Sequence, residues 1–205
     1  MDNKIKIYVE GGGGILNSQL REAFTSLMKQ YGIETNLFRI VAGGSRTKIY
    51  KDFGKIFQDS LSIVLIDSEK EISCDEKKCK WDFLWKNEKW KKPKGATENS
   101  LFFMAACMES WIVADKDALQ EFYGKCFQPK LPQAKDLSTI TKIDIINALE
   151  KSTKECGKEK QYNTNNKKDS FKILEKVDVA KITKRNIYAK DFFEFLKQKQ
   201  QENNT

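Results

Sequence analysis

The sequence predicts an α/β fold, a mostly parallel sheet flanked by helices, with a helical C-terminal part. Three observations predict it. Lys4-Ile5-Lys6-Ile7-Tyr8-Val9 alternates as a half-buried strand does, and ends at Glu10 before four glycines, Gly11 to Gly14. Leu61-Ser62-Ile63-Val64-Leu65-Ile66 is almost wholly apolar, the pattern of a strand covered on both faces. Segments of helical period alternate with these runs. The resulting β-α-β-α-β order over the first 70 or so residues calls for parallel strands joined by right-handed crossovers.

Taken in order, Asn17-Ser18 offers an N-cap after the glycines. Leu20, Phe24, Leu27, Met28 and Tyr31 then recur at helical spacing, and Gly32 suits the C′ position. A second strand is expected over 37–41. Gly43-Gly44-Ser45 turns it into a helix with Ile49, Tyr50, Phe53, Ile56 and Phe57 on one face. The third strand is 61–66. Residues 71–100 form an insertion in which Trp81, Trp85 and Trp90 sit among lysines. Such tryptophans can stack bases, but their spacing of four to five residues favours packing on one buried helical face.

Residues 101–104 return as a strand. Asp115 is placed to cap a helix that runs to Tyr123 and closes at Gly124. Pro129 and Pro132 break the chain, and Thr141-Lys142-Ile143-Asp144 resembles a capping box before a helix to about Ser152. A lysine-rich loop over 153–168 and two helices, around 171–177 and 185–198, complete the chain. The expected organisation is an α/β domain over 1–125, including the insertion, with a basic helical part over 126–205 packed on it.

With 205 residues, 40% hydrophobic and 32% charged, the chain can bury a sizeable core. No apolar stretch approaches the roughly 20 residues that span a bilayer, so no membrane association is expected. The five cysteines, at 74, 79, 107, 126 and 156, are odd in number and scattered, which argues for reduced thiols in a cytoplasm. Histidine is absent, so acid–base chemistry falls to Asp, Glu, Lys, Tyr, Cys or metal-bound water. The net charge is +8, and residues 151–205 hold 14 Lys+Arg against 8 Asp+Glu. That imbalance suits a polyanion such as nucleic acid, DNA or RNA, or is simply a solvated lysine-rich surface.

The chemistry should lie where strands end, because sites in open α/β sheets form beyond the carboxyl ends of the strands. Glu10 closes the first strand, and Asp67 and Glu69 follow the third. If the chain stays extended, residues two apart point the same way, and Asp67 and Glu69 can reach one ion. An all-carboxylate set suits Mg²⁺ (or Mn²⁺). Glu10 can add a metal ligand or serve as general acid or base. The backbone of Gly11 and Gly12 can approach a phosphate at a helix N-terminus, although no Gly-Lys-Ser/Thr follows to make a P-loop. Arg46 can clamp a phosphate, or lie exposed at a tight turn. Glu109 can face the same crevice, or be a half-buried helix residue. Lys168 and its neighbours can hold a nucleic-acid backbone.

Tyr8-Val9-Glu10-Gly11, Gly43-Gly44-Ser45-Arg46 with Tyr50-Lys51-Asp52-Phe53, Leu65-Ile66-Asp67-Ser68-Glu69, and Cys107-Met108-Glu109-Ser110-Trp111 with Ala114-Asp115 resemble domain-of-unknown-function family 4276, a branch of the Toprim superfamily. The resemblance runs nearly end to end, through Leu131-Pro132 and Ser170-Phe171. It implies a Toprim-like, Rossmann-like fold and a Mg²⁺-dependent nuclease that hydrolyses nucleic-acid phosphodiesters. In that reading Glu10 is the catalytic acid/base, and Asp67 and Glu69 bind the ion. Relatives of this branch include the Toprim effector of the PARIS anti-phage system, which is paired with an ATPase. The resemblance therefore also implies a defence role and an ATPase partner protein. Two features depart from the superfamily pattern: Glu69 stands where Asp is frequent, and the loop after Glu10 carries four glycines. A non-catalytic nucleotide or nucleic-acid binding module, or an effector held inactive by its partner, remain the alternatives.

Overall fold

The computed structural model describes residues 4–58, 62–72, 79–163 and 167–203, apart from the side chains of Lys167 and Lys168. Four parallel strands form one sheet in the order β2-β1-β3-β4: β1 is Ile5–Glu10, β2 Phe38–Gly44, β3 Ser62–Asp67 and β4 Leu101–Met104. The strands lie where the sequence places them, within one to three residues. The expected start of the third strand, Leu61, lies outside the described residues.

The pleat divides the core. Ile5, Ile7, Val9, Ile63, Leu65, Phe102 and Met104 face one side. There they pack with α1 (Leu16–Gln30), α5 (Lys116–Tyr123), α6 (Lys142–Thr153), α7 (Lys167–Lys176), α8 (Val179–Arg185) and α9 (Ile187–Asn203). Val64, Ile66, Leu101 and Phe103 face the other side, with α2 (Arg46–Ile56) and α3 (Lys80–Glu88). A sheet covered on both faces explains why β3 is buried at all six positions. The C-terminal helices share the larger cluster with the sheet, so their apolar stripes close one face of it.

Several local expectations change. Asn17 lies inside α1 rather than at its cap, and its Oδ1 accepts from the Gly13 amide at 2.8 Å. The three tryptophans of the insertion do not share one buried face. Trp81 and Trp90 are buried, Trp90 lies beyond the end of α3, and Trp85 is exposed. An additional helix, α8, lies between the two expected near the C-terminus, and Asn186, buried between α8 and α9, caps α9 with its Oδ1, accepting from Ala189 N–H at 3.0 Å.

The cysteine expectation is also corrected. Cys126 and Cys156, 30 residues apart, form a disulfide with Cα atoms 4.8 Å apart. Counting cysteines could not show that two short turns, Gly124–Cys126 and Lys154–Cys156, meet. Cys79 is exposed and Cys107 buried as thiols, and Cys74 lies outside the described residues. Among the described residues no helix is long and apolar enough to cross a membrane.

Asp115 caps α5 as expected, its Oδ1 accepting from Asp117 and Ala118 N–H at 3.0 and 3.3 Å. It also accepts from Lys181 Nζ at 2.6 Å and from Asp178 N–H at 3.0 Å, so it ties α5 to α8. Burial opposes its charge, but Lys181 and the backbone donors outweigh burial and hold its pKa below the usual carboxylate range. Asp115→Ala is expected to cost about 1–2 kcal/mol, or roughly 2–8 °C in Tm at neutral pH. A depressed carboxyl pKa stabilises the fold above the unfolded-state value and stops doing so as pH falls through the folded value. Thermal melts of both proteins should therefore converge in acid. Equal Tm at pH 7 would remove Asp115 from this role.

Candidate acid–base and metal site

The carboxyl edge of the sheet gathers acidic side chains from elements far apart in sequence. Glu10 ends β1 and Asp67 ends β3, and these two strands are neighbours. Val9 pairs with Leu65 in register, so strict alternation sends Glu10 and Asp67 to opposite faces of the sheet. Glu10 nonetheless folds over the edge, and its Oε2 accepts from the Asp67 amide at 3.1 Å. A register shift between Val9 and Glu10 accompanies this turn.

The glycines make room for it. Gly12 has φ +88°, and a Cβ there would lie 2.6 Å from Asn17 Oδ1 and 2.9 Å from Ala42 Cβ. Gly43 lies against Ile49, where an added Cβ would come within 2.7 Å of Cδ1. Only glycine fits either place without displacing its neighbour. One amide of the expected phosphate cradle is already engaged, Gly11 N–H donating to Gly44 O at 2.9 Å, and just beyond the cradle Gly13 N–H donates to Asn17 Oδ1. These bonds set the loop's geometry and leave less of its backbone for a ligand.

Arg46 is not open to a phosphate in this state. It begins α2 behind its N-cap Ser45, and its Nη1 donates to Glu10 Oε2 at 2.9 Å and to the Asp67 carbonyl. Its Nε donates to Glu88 Oε2 at 2.9 Å, and its Nη2 to the other Glu88 oxygen. The guanidinium carbon lies 4.8 Å from the centroid of Trp90, which stacks on Tyr50. Burial opposes its charge, but the bonds with Glu88 and Glu10 raise its pKa all the same. Arg46 therefore fixes Glu10, and α3 supplies Glu88 to hold Arg46.

Glu69 departs from the extended geometry expected of it. The strand ends at Asp67, Glu69 takes φ +64°, and its amide donates to Ala106 O at 2.9 Å. The turn ends the two-residue alternation, so Asp67 and Glu69 do not lie side by side on one strand face. Lys142, the first residue of α6, joins them instead. Its Nζ donates to both Glu69 oxygens at 2.8 Å and lies 3.6 Å from Asp67 Oδ2. Asp67 Oδ1 accepts from Met108 N–H at 2.9 Å.

Glu109 opens the single-turn helix α4 (Glu109–Ile112) and is buried toward the same crevice, where Tyr162 Oη donates to its Oε1 at 2.8 Å. Tyr162 Oη also lies 3.3 Å from Ser170 Oγ. The Cys107 thiol, pushed up by burial and then by Glu109 and Asp67, stays protonated beneath them. The Lys168 side chain lies outside the described residues.

The electrostatics follow from burial with too little counter-charge. Asp67 is raised well above its ordinary pKa, first by burial and then by Glu10 and Glu109, against the pull of Lys142. Glu10 is raised by burial, against Arg46. Burial opposes the Lys142 charge, but Asp67 and Glu69 raise its pKa. Glu10 and Glu88 thus share Arg46, Asp67 and Glu69 share Lys142, and Glu109 is bonded to Tyr162, so carboxyl groups outnumber cations.

This donor set fits Mg²⁺ or Mn²⁺ in its chemistry, hard oxygen ligands around unneutralised charge. In position it is incomplete: among the described residues no three acidic or thiol side chains are grouped to hold a metal ion. Glu10 is turned onto Arg46, Glu69 onto Lys142 and Glu109 onto Tyr162.

Sequence reasoning missed Lys142, Glu88 and Tyr162. Lys142 was visible only as part of a capping motif, and Thr141 does cap α6, accepting from Asp144 N–H at 3.0 Å. Tyr162, a lone aromatic in the polar 153–168 stretch, was the available signal for a segment that returns to the core.

No curated protein and no solved structure matches the chain. Residues 9–197, which include every acidic residue of the crevice, match the family model described as Domain of unknown function (DUF4276). The chain belongs to that family.

Proposed function

We propose that the chain is a Toprim-like nuclease that hydrolyses phosphodiesters of DNA or RNA with Mg²⁺ or Mn²⁺, acting in anti-phage defence. The observation that carries the proposal is the meeting of Glu10 and Asp67 at adjacent strand ends, with carboxylates in excess of their cations. The defence role and an ATPase partner rest on the resemblance to the Toprim branch.

In this reading Asp67 and Glu69 hold the ion. When bound, the ion supplies charge stabilisation to the attacked phosphoryl oxygen and acidifies water. Glu10 exchanges the proton. Burial raises its pKa toward the working range of a general acid or base. Its Oε2 is engaged by Arg46 and the Asp67 amide, which leaves Oε1 for the proton. Arg46 keeps Glu10 in one orientation, and Met108 N–H does the same for Asp67.

A second reading, an effector held inactive until its partner acts or a module that binds without turnover, is favoured by the same two cations. Arg46 and Lys142 lie on the carboxylates that would otherwise gather an ion. The test is incubation of wild type and Asp67→Asn with pooled DNA and RNA, with Mg²⁺ or Mn²⁺, at low salt. Metal-dependent products from wild type alone support the nuclease. Metal binding without products, with or without an ATPase partner, selects the binding module.

A further inference from the structure

The helix that supplies Glu88 to the site leaves one tryptophan in solvent. Trp81, Trp90 and Trp111 are 3%, 8% and 0% exposed, whereas Trp85 is 48% exposed. Trp81, four residues before it on α3, packs against Phe53 and Phe57 and donates its indole N–H to Thr97 O at 2.8 Å. Trp85 is not needed to close that core, and it presents a large amphipathic ring to solvent.

Its surroundings are basic. Lys89 Nζ lies 5.7 Å from the centre of the Trp85 ring. Trp85 lines, with Trp81, Lys91 and Lys92, a shallow cavity of about 350 Å³ that also meets Asp82 and Glu98. Lys86, Lys89, Lys91, Lys92 and Lys94 are all exposed. The acidic groups nearby are largely committed. Glu88 holds Arg46, and Glu98 accepts from Lys80 N–H and from Lys92 Nζ. Asp82, exposed on α3, is the other carboxylate lining the cavity.

We propose that α3 and the residues after it form a docking platform for single-stranded nucleic acid. Trp85 stacks on a base, and the lysines of 86–94 follow the phosphates. An aromatic face interleaved with lysines matches a single strand, whose bases expose their faces. A duplex keeps those faces stacked inside. Trp85 and Glu88 are three residues apart on α3, about 4.5 Å along its axis. A strand held at Trp85 therefore lies on the helix that anchors Arg46 and, through it, Glu10. The proposal rests on the nuclease reading for the class of ligand only.

Binding is measured without turnover, in the Asp67→Asn protein with EDTA, using labelled 12-nucleotide single-stranded DNA and RNA of mixed sequence. Anisotropy and intrinsic tryptophan emission are both read. Binding of either strand with quenched emission is expected. Trp85→Ala should lose most of that quenching and weaken binding roughly tenfold, while Trp85→Phe recovers part of the affinity. The Lys91→Glu/Lys92→Glu protein should flatten the log–log salt dependence by about 1–2, at roughly 0.7 for each phosphate no longer neutralised. The Lys154→Glu/Lys158→Glu/Lys160→Glu protein should leave that slope unchanged.

Undiminished binding by Trp85→Ala, equal quenching by poly-glutamate or by duplex, or a slope that responds only to the 154–160 substitutions would overturn the platform. The nuclease reading fails separately, if wild type with metal cleaves nothing while Trp85-dependent binding persists.

Discussion

Asp67→Asn is expected to reduce metal-dependent cleavage by about a hundredfold to a thousandfold, and to leave the protein at least as stable as wild type at pH 8. Both halves follow from one environment. The Asp67 carboxyl is buried, and Glu10 and Glu109 repel its charge, which only Lys142 partly offsets. Asparagine keeps an oxygen for the Met108 amide but carries no charge to bind an ion or to repel its neighbours. A carboxyl whose folded pKa is raised binds more protons in the native state than in the unfolded state. The wild type therefore loses stability as pH rises from the unfolded toward the folded pKa. Melts of the two proteins from pH 5 to pH 8 without metal should show the asparagine variant gaining on wild type as pH rises. Mg²⁺ or Mn²⁺ should raise the Tm of wild type only. A variant clearly less stable at pH 8 would mean that the Lys142 pair outweighs burial and repulsion, and that Asp67 is a structural ion-pair partner.

What was legible in the sequence was whatever depends on local pattern. The two strand runs, their parallel pairing and the placement of Glu10 and Asp67 at the carboxyl edge followed from periodicity and from the rules of α/β sheets. Asp115 and Thr141 were legible as caps, because a cap is a contact made within three residues. Glu69 was misjudged, because alternation holds only while the strand lasts, and the strand stops two residues earlier. Arg46 was visible as an arginine beside the site. Its engagement could not be read, because Glu88 comes from the insertion and reaches it across 42 residues. Lys142 reaches Glu69 across 73 residues, and Tyr162 reaches Glu109 across 53. Such pairings depend on how helices pack on the sheet, which no window of sequence contains. The disulfide belongs with them, since its two turns meet only after α6 is in place.

Lys142→Met is expected to tighten Mg²⁺ or Mn²⁺ binding by about tenfold while lowering the stability of the metal-free protein. The ammonium lies between Asp67 and Glu69, at 3.6 Å from one and 2.8 Å from the other, where an ion shared by those carboxylates would sit. An ion and this side chain therefore compete for the same oxygens, and removing the competitor raises apparent affinity by the population it had blocked. Removing it also leaves Asp67, Glu69 and Glu109 facing one another with less counter-charge. Lys142 and Glu69 are each about a third exposed, so solvent screens part of that loss, and a cost of about 1–2 kcal/mol is expected in place of the larger figure for a fully buried pair. Methionine keeps the length and the apolar stem, which confines the change to the charge. Calorimetric titration and melts with and without metal read the two effects separately. Tighter binding together with a Tm restored by metal identifies Lys142 as the residue an ion must displace, the behaviour of a site kept closed in the isolated chain. Unchanged or weaker metal binding would place the ion elsewhere and leave Lys142 as the permanent partner of Asp67 and Glu69, and the assignment of these two carboxylates as metal ligands would fall with it.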